Sequence, residues 1–400
     1  MTSNDLLPSP RLAYESFTIE SPQDDAPDTR SAHRLFVMLG CGYLIPFMAL
    51  VQPVDYWQHL FPTYNVNFGI SWTYNAVGIA MLILILWRTR AQSYTHRIVG
   101  GLASQAAVLT FLAASYSFVH TQDQRLAVVL ASTGVIAVAT AFLDSSVFAL
   151  ASLFPSGAIR EVQLGIAISE VLVALYRIVS KAVIPQRLVV PATMVYFAAT
   201  VGTVILCIAA YLALLRLPLT QRCLSKTTQQ EVQLSIFHKV WFNQLMIMLC
   251  YFTTLILWPG VLTSIPSFNF PELNVTGWWP LILMMVYAVG ETLGRVGAVS
   301  RGPFNRHNVW LLVVPRLVLV PLLLCSAKQV VFTHDAITLM FTLALSLSQG
   351  YGSTMAVVVA NDCVAEDEQG ACGMFTSFFV NLGLVLGATV SFGLAKLLDM

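Results

Sequence analysis

The feature of this sequence that most constrains its fold is a series of apolar runs, each long enough to cross a lipid bilayer as a helix. A bilayer core accommodates about 20 apolar residues per helix. The chain contains eleven such runs, separated by short segments with charges, proline or glycine. The sequence therefore predicts an all-α polytopic membrane protein with eleven transmembrane helices. The predicted spans are residues 35–52, 66–87, 98–118, 126–154, 162–182, 188–215, 240–260, 278–299, 309–326, 336–360 and 371–396.

The composition agrees with a membrane protein and excludes other classes. Of the 400 residues, 57% are hydrophobic and 10% are charged, whereas soluble domains have about 45–50% apolar and about 25% charged residues. So few charges cannot cover a surface that faces water. A formal net charge of +1 provides no basic surface for nucleic acid. The chain has no nucleotide-binding loop, catalytic motif or metal-ligand spacing, so we expect neither enzyme activity nor a cofactor or metal.

The distribution of lysine and arginine predicts the orientation. Segments on the same side as the N-terminus hold thirteen of these residues, and segments on the opposite side hold five. Because positive charge favours the cytosolic side, we expect a cytosolic N-terminus and an extracellular or lumenal C-terminus, in the plasma membrane. On the predicted outside, Asn274 begins a glycosylation sequon. Tryptophans near predicted span ends, Trp258 among them, favour an interfacial belt.

Two hydrophilic segments divide the chain. Residues 1–32 are polar, acidic and rich in proline, which predicts a disordered cytosolic tail. Residues 216–239 are polar and predict a cytosolic linker loop. This linker separates an N-terminal six-helix bundle, residues 33–215, from a C-terminal five-helix bundle, residues 240–400.

Ionisable residues within the predicted spans are the strongest functional signal. Each costs about 2.5–3.5 kcal/mol at the centre of a bilayer, so these side chains must pair, face the bundle interior or line a wet cavity. Three acids and three arginines balance, which favours a transporter or channel over a receptor or scaffold. The six residues are Asp144, Glu170, Arg177, Glu291, Arg295 and Arg316.

Glu291 and Arg295 are four residues apart and share one helix face. A carboxylate beside a guanidinium offers acceptors and donors together, which suits the hydroxyls of a neutral polyhydroxylated solute. The alternative is a structural ion pair that locks two helices. Glu170 and Arg177, seven residues apart, also share a face, and we assign both to structural or gating ion pairs.

Asp144 stands alone in its predicted span and needs a partner from another helix, for which Arg316 is a candidate. As a functional residue, Asp144 would contact the substrate or carry a proton. The alternative is that it forms one half of a buried ion pair.

Five motifs in order resemble the equilibrative nucleoside transporters, over roughly residues 35–398. The segment GETLGR resembles the family's D-x-x-G-R signature with glutamate in place of aspartate, and PRLVLVPL resembles its R-x-x-x-x-P-L segment. The motif style is closest to plant and protist members. The five segments are residues 44–48 (LIPFM), 143–155 (LDSSVFALASLFP), 176–181 (YRIVSK), 290–295 (GETLGR) and 315–322 (PRLVLVPL).

The resemblance implies a pseudo-symmetric 6+5 bundle resembling the major-facilitator fold, with a central cavity and alternating access by rocking of the two halves. Glu291 and Arg295 would then hold the ribose hydroxyls, and Asp144 would face the base. Phe47 would stack on the base or close over it, with Met48 beside it.

The sequence departs from the family pattern at several of these positions. Asp144 stands where many members have glutamine, which favours purine N–H donors, cationic solutes or proton coupling. Phe47 replaces a tryptophan and Met48 an asparagine, while Glu170 could admit organic cations. Arg316 is assigned to a structural or gating ion pair.

The function expected from these observations is transport of nucleosides, or of nucleobases, either down their gradient or coupled to protons. The expected partners are the nucleoside and membrane lipid, and the expected state is a monomer. One alternative is a carrier of organic cations or another cargo with the same fold. A second alternative is a non-transporting membrane receptor or scaffold.

Overall fold

The computed structural model describes residues 26–62, 64–87, 94–154, 158–185, 187–225, 234–298, 300, 302–365 and 368–397. Most of the predicted N-terminal tail lies outside these residues. Its last part, residues 26–32, was expected to be disordered and is instead helical, because the first helix begins at Ala26. Asp28 lies in the first turn of that helix, where a negative charge stabilises the helix dipole.

Within the described residues the regular structure is helical, which confirms the all-α prediction. Short helices connect the long ones, and a 3₁₀ turn at Val314–Val318 interrupts one of the spans. The helices are α1 Ala26–Val51, α2 Val54–Leu60, α3 Val66–Trp87, α4 Tyr94–Ser115, α5 Gln122–Ser152, α6 Ala158–Val183, α7 Val189–Arg216, α8 Pro218–Ser225, α9 Leu234–Leu257, α10 Gly260–Ser264, α11 Pro271–Val275, α12 Trp278–Gly297, α13 Trp310–Val313, α14 Leu319–Ala327, α15 Asp335–Asp362 and α16 Gln369–Leu397.

In the part of the chain that the structure describes, ten helical segments are long and apolar enough to cross a membrane. They run from Asp28–Val51 to Phe375–Leu397. The predicted eighth span corresponds to α12, which has 20 residues but is not among the ten. This helix carries both Glu291 and Arg295, and charges lower its apolar character. The chain is thus a helical membrane protein, while the count of eleven spans stays a prediction.

The linker prediction is wrong in part. Residues 216–239 include α8 and the first residues of α9, both of which are helical. The rest of this segment, residues 226–233, lies outside the described residues. We call α1–α8 the N-terminal group and α9–α16 the C-terminal group.

The two groups meet where α6 packs on α12 and where α16 packs on α3 and α5. Thr292 of α12 donates to the carbonyl oxygen of Ala167 on α6 at 3.3 Å. One end of the bundle holds α2, α10 and α11 and is called the Asp55 end. The other holds an exposed ion pair between Lys239 and Glu368, 2.6 Å apart, and is called the Lys239 end. Which end faces the cytosol stays a prediction.

Small residues bring helices together beside the predicted site. Gly294 of α12 faces the backbone of α15 at Leu347, and Gly350 of α15 faces the carbonyl oxygen of Glu291. A Cβ atom at either glycine would overlap the facing backbone. This close approach fixes α12, and with it the Glu291 backbone, against α15.

The predicted sequon lies on α11 at the Asp55 end. Asn274 donates from Nδ2 to the Ser267 carbonyl oxygen at 2.8 Å, and its Oδ1 accepts from the Ser267 amide at 2.7 Å. The side-chain amide is therefore engaged at both of its ends, and its glycosylation stays a prediction.

Candidate functional site

Glu291 and Arg295 form a buried ion pair on α12. Arg295 donates to Glu291 Oε1 from Nε at 3.1 Å and from Nη2 at 2.5 Å. The side chains of Arg295 and Glu291 are 5% and 4% exposed. The third bond, from Nη1, goes to Oε1 of Gln163 on α6. The pair therefore lies at the contact between the two helix groups, and it faces protein rather than lipid.

Glu170 adds a second acid to this region. It lies on α6, is 8% exposed and interacts electrostatically with Glu291 and Arg295. Its Oε2 atom is buried and makes no hydrogen bond within the described chain. Two carboxyl groups and a single guanidinium thus interact in this buried region. Since an unpaired buried charge is costly, this site favours a proton or a cationic group at Glu170.

Aromatic rings connect the predicted Phe47 to the ion pair. Phe47 stacks on Tyr74 with centroids 3.9 Å apart and meets Trp258 edge to face at 6.4 Å. Trp258 stacks on Tyr287 at 5.4 Å, and Tyr287 interacts electrostatically with Glu291, which lies one turn further along α12. Trp258 is 5% exposed, so its assignment to an interfacial belt is wrong.

Met48 lies next to Phe47 on α1 and is likewise 5% exposed. Its backbone carbonyl accepts from the Gln52 amide at 3.0 Å, which continues the helix past Pro46. Met48 is therefore a buried neighbour of the aromatic cluster rather than a lipid-facing residue.

Asp144 of α5 bridges the two groups at a second point. Its Oδ2 accepts from Ser377 Oγ and lies 3.5 Å from Asn381 Nδ2, both on α16. Tyr43 of α1 also interacts electrostatically with Asp144. Tyr43 interacts with Tyr251, which lies within electrostatic range of Glu291 and Arg295. Asp144 therefore joins α5 to α16 across the contact between the two groups.

Arg316 is not the partner of Asp144, contrary to the sequence-based expectation. Its guanidinium bonds to Ser348 Oγ at 3.0 Å, the Cys250 carbonyl at 2.8 Å and Thr254 Oγ1 at 2.7 Å. These groups belong to α9 and α15, inside the C-terminal group. Arg316 therefore ties three helices of one group together through neutral acceptors, and no acid accepts from it within the described chain.

Arg177 pairs with a residue that the sequence analysis did not single out. It donates to Asp55 Oδ1 from Nε at 3.0 Å and from Nη2 at 2.7 Å, and from Nη1 to Thr193 at 3.0 Å. Lys181 Nζ lies 2.9 Å from Asp55 Oδ2. Asp55 lies on the short helix α2, outside the predicted spans, where a charged residue gives no unusual signal.

The charge state of Asp55 follows from its two partners. Burial raises the pKa of this carboxyl, but the charges of Arg177 and Lys181 outweigh burial and hold its pKa below the usual range. Asp55 is therefore a carboxylate shared by two cations. In the described residues no group of three histidine, cysteine, aspartate or glutamate side chains is placed to hold a metal ion.

Comparison with known proteins identifies similar sequences and folds. A family model described as "Nucleoside transporter" matches residues 130–234 and 218–396. The chain is 23% identical to equilibrative nucleotide transporter 8 of Arabidopsis thaliana, covering 92% of this chain and 96% of that protein. It is 22% identical to human equilibrative nucleoside transporter 4, covering 95% of this chain and 85% of that protein.

A solved structure shows the fold. The proton:xylose symporter XylE of the major facilitator superfamily matches with a TM-score of 0.63 at 11% identity, covering 93% of this chain and 89% of that one. The described helices thus have a fold like that of the major facilitator superfamily.

Proposed function

Since the chain belongs to the nucleoside transporter family, we propose that it carries nucleosides across a membrane by alternating access, with Glu291 and Arg295 holding the ribose. The family consists of transporters and not of enzymes. The chain is an integral membrane protein with multiple spans, and a nucleoside is the substrate class that its family implies.

The observation that carries the proposed site is the position of the Glu291–Arg295 pair at the contact of the two groups. Ribose hydroxyls both donate and accept hydrogen bonds, and the pair supplies a carboxylate and a guanidinium side by side. Gln163 accepts the remaining bond of Arg295, so it occupies the place that a ribose oxygen would take. A carrier must release its solute, so we expect a dissociation constant between about 1 μM and 1 mM.

The base would lie toward Asp144 and the aromatic cluster. Asp144 offers a carboxylate to N–H donors, and Phe47 offers a ring face that is currently stacked on Tyr74. Met48 is buried beside Phe47 and would contribute apolar contact. A nucleobase without its ribose could use these residues alone, so nucleobases belong to the proposed cargo.

Alternating access would move the N-terminal group, α1–α8, against the C-terminal group, α9–α16. Two contacts between groups involve the proposed site itself, one at Arg295 and Gln163 and the other at Asp144 and Ser377. Substrate binding would therefore exchange contacts between groups for contacts to substrate. Arg177 would act at the Asp55 end as part of a gate, while Arg316 would hold the C-terminal group together as one body.

Within the proposed transport function, Glu170 supports either coupling to protons or a cationic cargo. Glu170 and Glu291 together exceed the single charge of Arg295, and Glu170 Oε2 has no hydrogen-bond partner in the described chain. A proton or an organic cation would neutralise this excess. We propose a monomer in the plasma membrane with a cytosolic N-terminus, as the distribution of basic residues favours.

Uptake in cells that lack nucleoside transport tests this function. Labelled uridine or adenosine should accumulate only in cells that express the chain. A panel of unlabelled nucleosides, bases and organic cations, repeated at two pH values, identifies the cargo. Competition by nucleosides supports the proposal. If only organic cations compete, the chain is a carrier of organic cations. If none of the compounds is taken up, the receptor or scaffold alternative is supported.

A further inference from the structure

A cavity opens at the Asp55 end, away from the proposed nucleoside site. Its volume is about 330 Å³, at the lower end of the range of about 300–1,000 Å³ for small-molecule sites. Helices α2 and α6 of the N-terminal group form one wall, and the turn at residues 275–277, before α12, forms the other. An occupant would therefore touch both helix groups.

The charges that line this cavity do not cancel. Asp55, Arg177 and Lys181 all face it, and the carboxylate is shared, with Oδ1 bonded to Arg177 and Oδ2 lying 2.9 Å from Lys181. Among the described lining residues Asp55 is the only acid. The lining therefore carries one more positive than negative charge while His59 is neutral.

Lys181 has donors left for a ligand. An ammonium group has three N–H donors, and within the described residues Nζ makes an ion pair with Asp55 but no hydrogen bond. The Lys181 side chain is 6% exposed, so the ammonium group is buried except where it lines the cavity. The Trp278 ring lies 5.2 Å from Nζ and covers one side of the ammonium group without supplying a hydrogen-bond acceptor.

The backbone leaves room beside this ammonium group. Gly277 has φ of 66°, and a Cβ atom built on it would lie 3.2 Å from Lys181 Nζ and 3.0 Å from Asp55 Cβ. Glycine both permits the left-handed turn and keeps the space next to Nζ open. The cavity thus combines a buried cation with a cradle that a side chain at position 277 would fill.

We propose that this cavity binds a small oxyanion of the phosphate type, either free or carried by a nucleotide, through Lys181 and the remaining N–H groups of Arg177. A phosphate oxygen accepts charge-assisted hydrogen bonds from both cations and offsets the excess charge. Oxyanion binding at this cavity does not depend on the proposed function. The effect of binding on transport does rest on the proposed function, because an oxyanion that touches both groups would hold this end of the bundle closed.

The test is a melting-temperature titration of the purified full-length protein in lipid nanodiscs. Sodium phosphate replaces sodium gluconate at constant ionic strength. A ligand that binds the folded state stabilises it as its concentration exceeds the dissociation constant, so we expect the wild type to melt about 2 °C higher or more. Lys181→Met should lose this shift, and Lys181→Arg should keep it. Lys181→Met should still fold, because Asp55 keeps both bonds from Arg177.

Lys396→Met is the matched control. Lys396 is exposed at the end of α16, close to Phe392, which in turn lies near Trp72 at the Asp55 end. The Lys396→Met variant should show the same phosphate-dependent rise in melting temperature as the wild type. The proposal is overturned by the absence of a shift in the wild type, by an equal shift in Lys181→Met, or by its loss in Lys396→Met.

Two further ligands complete the test. Uridine 5′-monophosphate distinguishes a nucleotide from free phosphate as the source of the oxyanion, and uridine distinguishes this proposal from the proposed function. A Lys181-dependent shift at lower concentration with the monophosphate than with phosphate assigns the site to nucleotides, and the reverse order assigns it to the free ion. Both results support the proposal. Uridine has no phosphate, so a melting-temperature shift that uridine causes in both wild type and Lys181→Met reports binding at the central site. If uridine causes no shift, that result counts against the proposed function. It does not affect the oxyanion proposal.

Discussion

Arg295 on α12 donates a hydrogen bond to Gln163 on α6, two residues that are 132 positions apart in the chain. The same guanidinium is held by Glu291 through two further bonds. The proposed ribose site and the contact between the two helix groups therefore share one side chain. Binding of a substrate at Arg295 and separation of the groups would both break this hydrogen bond.

Gln163→Ala should strengthen nucleoside binding. The substrate would no longer displace Gln163 from Arg295, and a hydrogen bond from a charged group has a net value of about 1.5–3 kcal/mol, which corresponds to roughly 10–150-fold in the dissociation constant. Equilibrium binding of labelled uridine to purified protein measures the change. Gln105→Ala is the control, because Gln105 is buried and bonds to Thr140 within the N-terminal group. Equal dissociation constants for Gln163→Ala and wild type would show that Gln163 does not occupy the ribose position.

Asp144→Asn should flatten the pH dependence of uptake if Asp144 carries the proton. The amide keeps the size of the side chain and removes its titration, while Ser377 and Asn381 remain as partners on α16. Uptake is measured over a pH series in transport-deficient cells, and surface labelling shows that the variant reaches the membrane. Asp123→Asn, at an exposed position in the first turn of α5, should leave the profile unchanged. If uptake by Asp144→Asn has the same pH dependence as uptake by the wild type, Asp144 is not the proton carrier.

The Asp55 carboxylate should stabilise the protein above about pH 4 and lose that effect in acid. Burial raises its pKa, but Arg177 and Lys181 lower it below the usual range, which for an unfolded chain is about 3.9. The contribution is therefore complete above about pH 4 and disappears as the pH falls through the lowered pKa.

Melting temperatures of wild type and Asp55→Asn over a pH series measure this effect. The wild type should be more stable at neutral pH, and the difference should shrink below about pH 4. A difference that stays constant down to the acid limit would contradict the assignment of Asp55 as a carboxylate paired in the folded state.

Gly350→Ala should destabilise the protein, because the added methyl group would overlap the Glu291 carbonyl on α12. Overpacking of this kind costs about 1–3 kcal/mol, and it should also displace the ion pair and reduce uptake. Gly202→Ala is the matched change in α7, where nothing lies within 4 Å of the new atom. It should be neutral or stabilising by up to about 1 kcal/mol. Equal melting temperatures for the two variants would refute the close packing of α12 on α15.

The sequence predicts those features that depend on local spacing. The four-residue separation of Glu291 and Arg295 predicts their shared face and their pairing, and both are observed. Gly290 and Gly294 have the four-residue spacing of small residues that permits close helix packing, and α15 packs on both. The apolar runs predict the helical membrane fold because a helix in lipid must satisfy its own backbone.

Partnerships between distant helices could not be predicted in this way. Balanced charges made Arg316 a candidate for Asp144, yet neutral acceptors on α9 and α15 satisfy Arg316, and hydroxyl and amide groups bond to Asp144. Asp55 was missed because a carboxylate between spans looks like an ordinary surface residue. Its two cationic partners become visible only when α2 is placed against α6.

The most direct test of the central claim is the affinity of the purified protein for a labelled nucleoside when the buried pair is made neutral. Hydrogen bonds to charged groups contribute about 1.5–3 kcal/mol each, so Glu291→Gln/Arg295→Gln should weaken binding by about 100-fold or more. Lys239→Gln/Glu368→Gln removes an exposed ion pair of the same C-terminal group and should bind like the wild type. A folded Glu291→Gln/Arg295→Gln protein that binds nucleoside as tightly as the wild type would contradict the account.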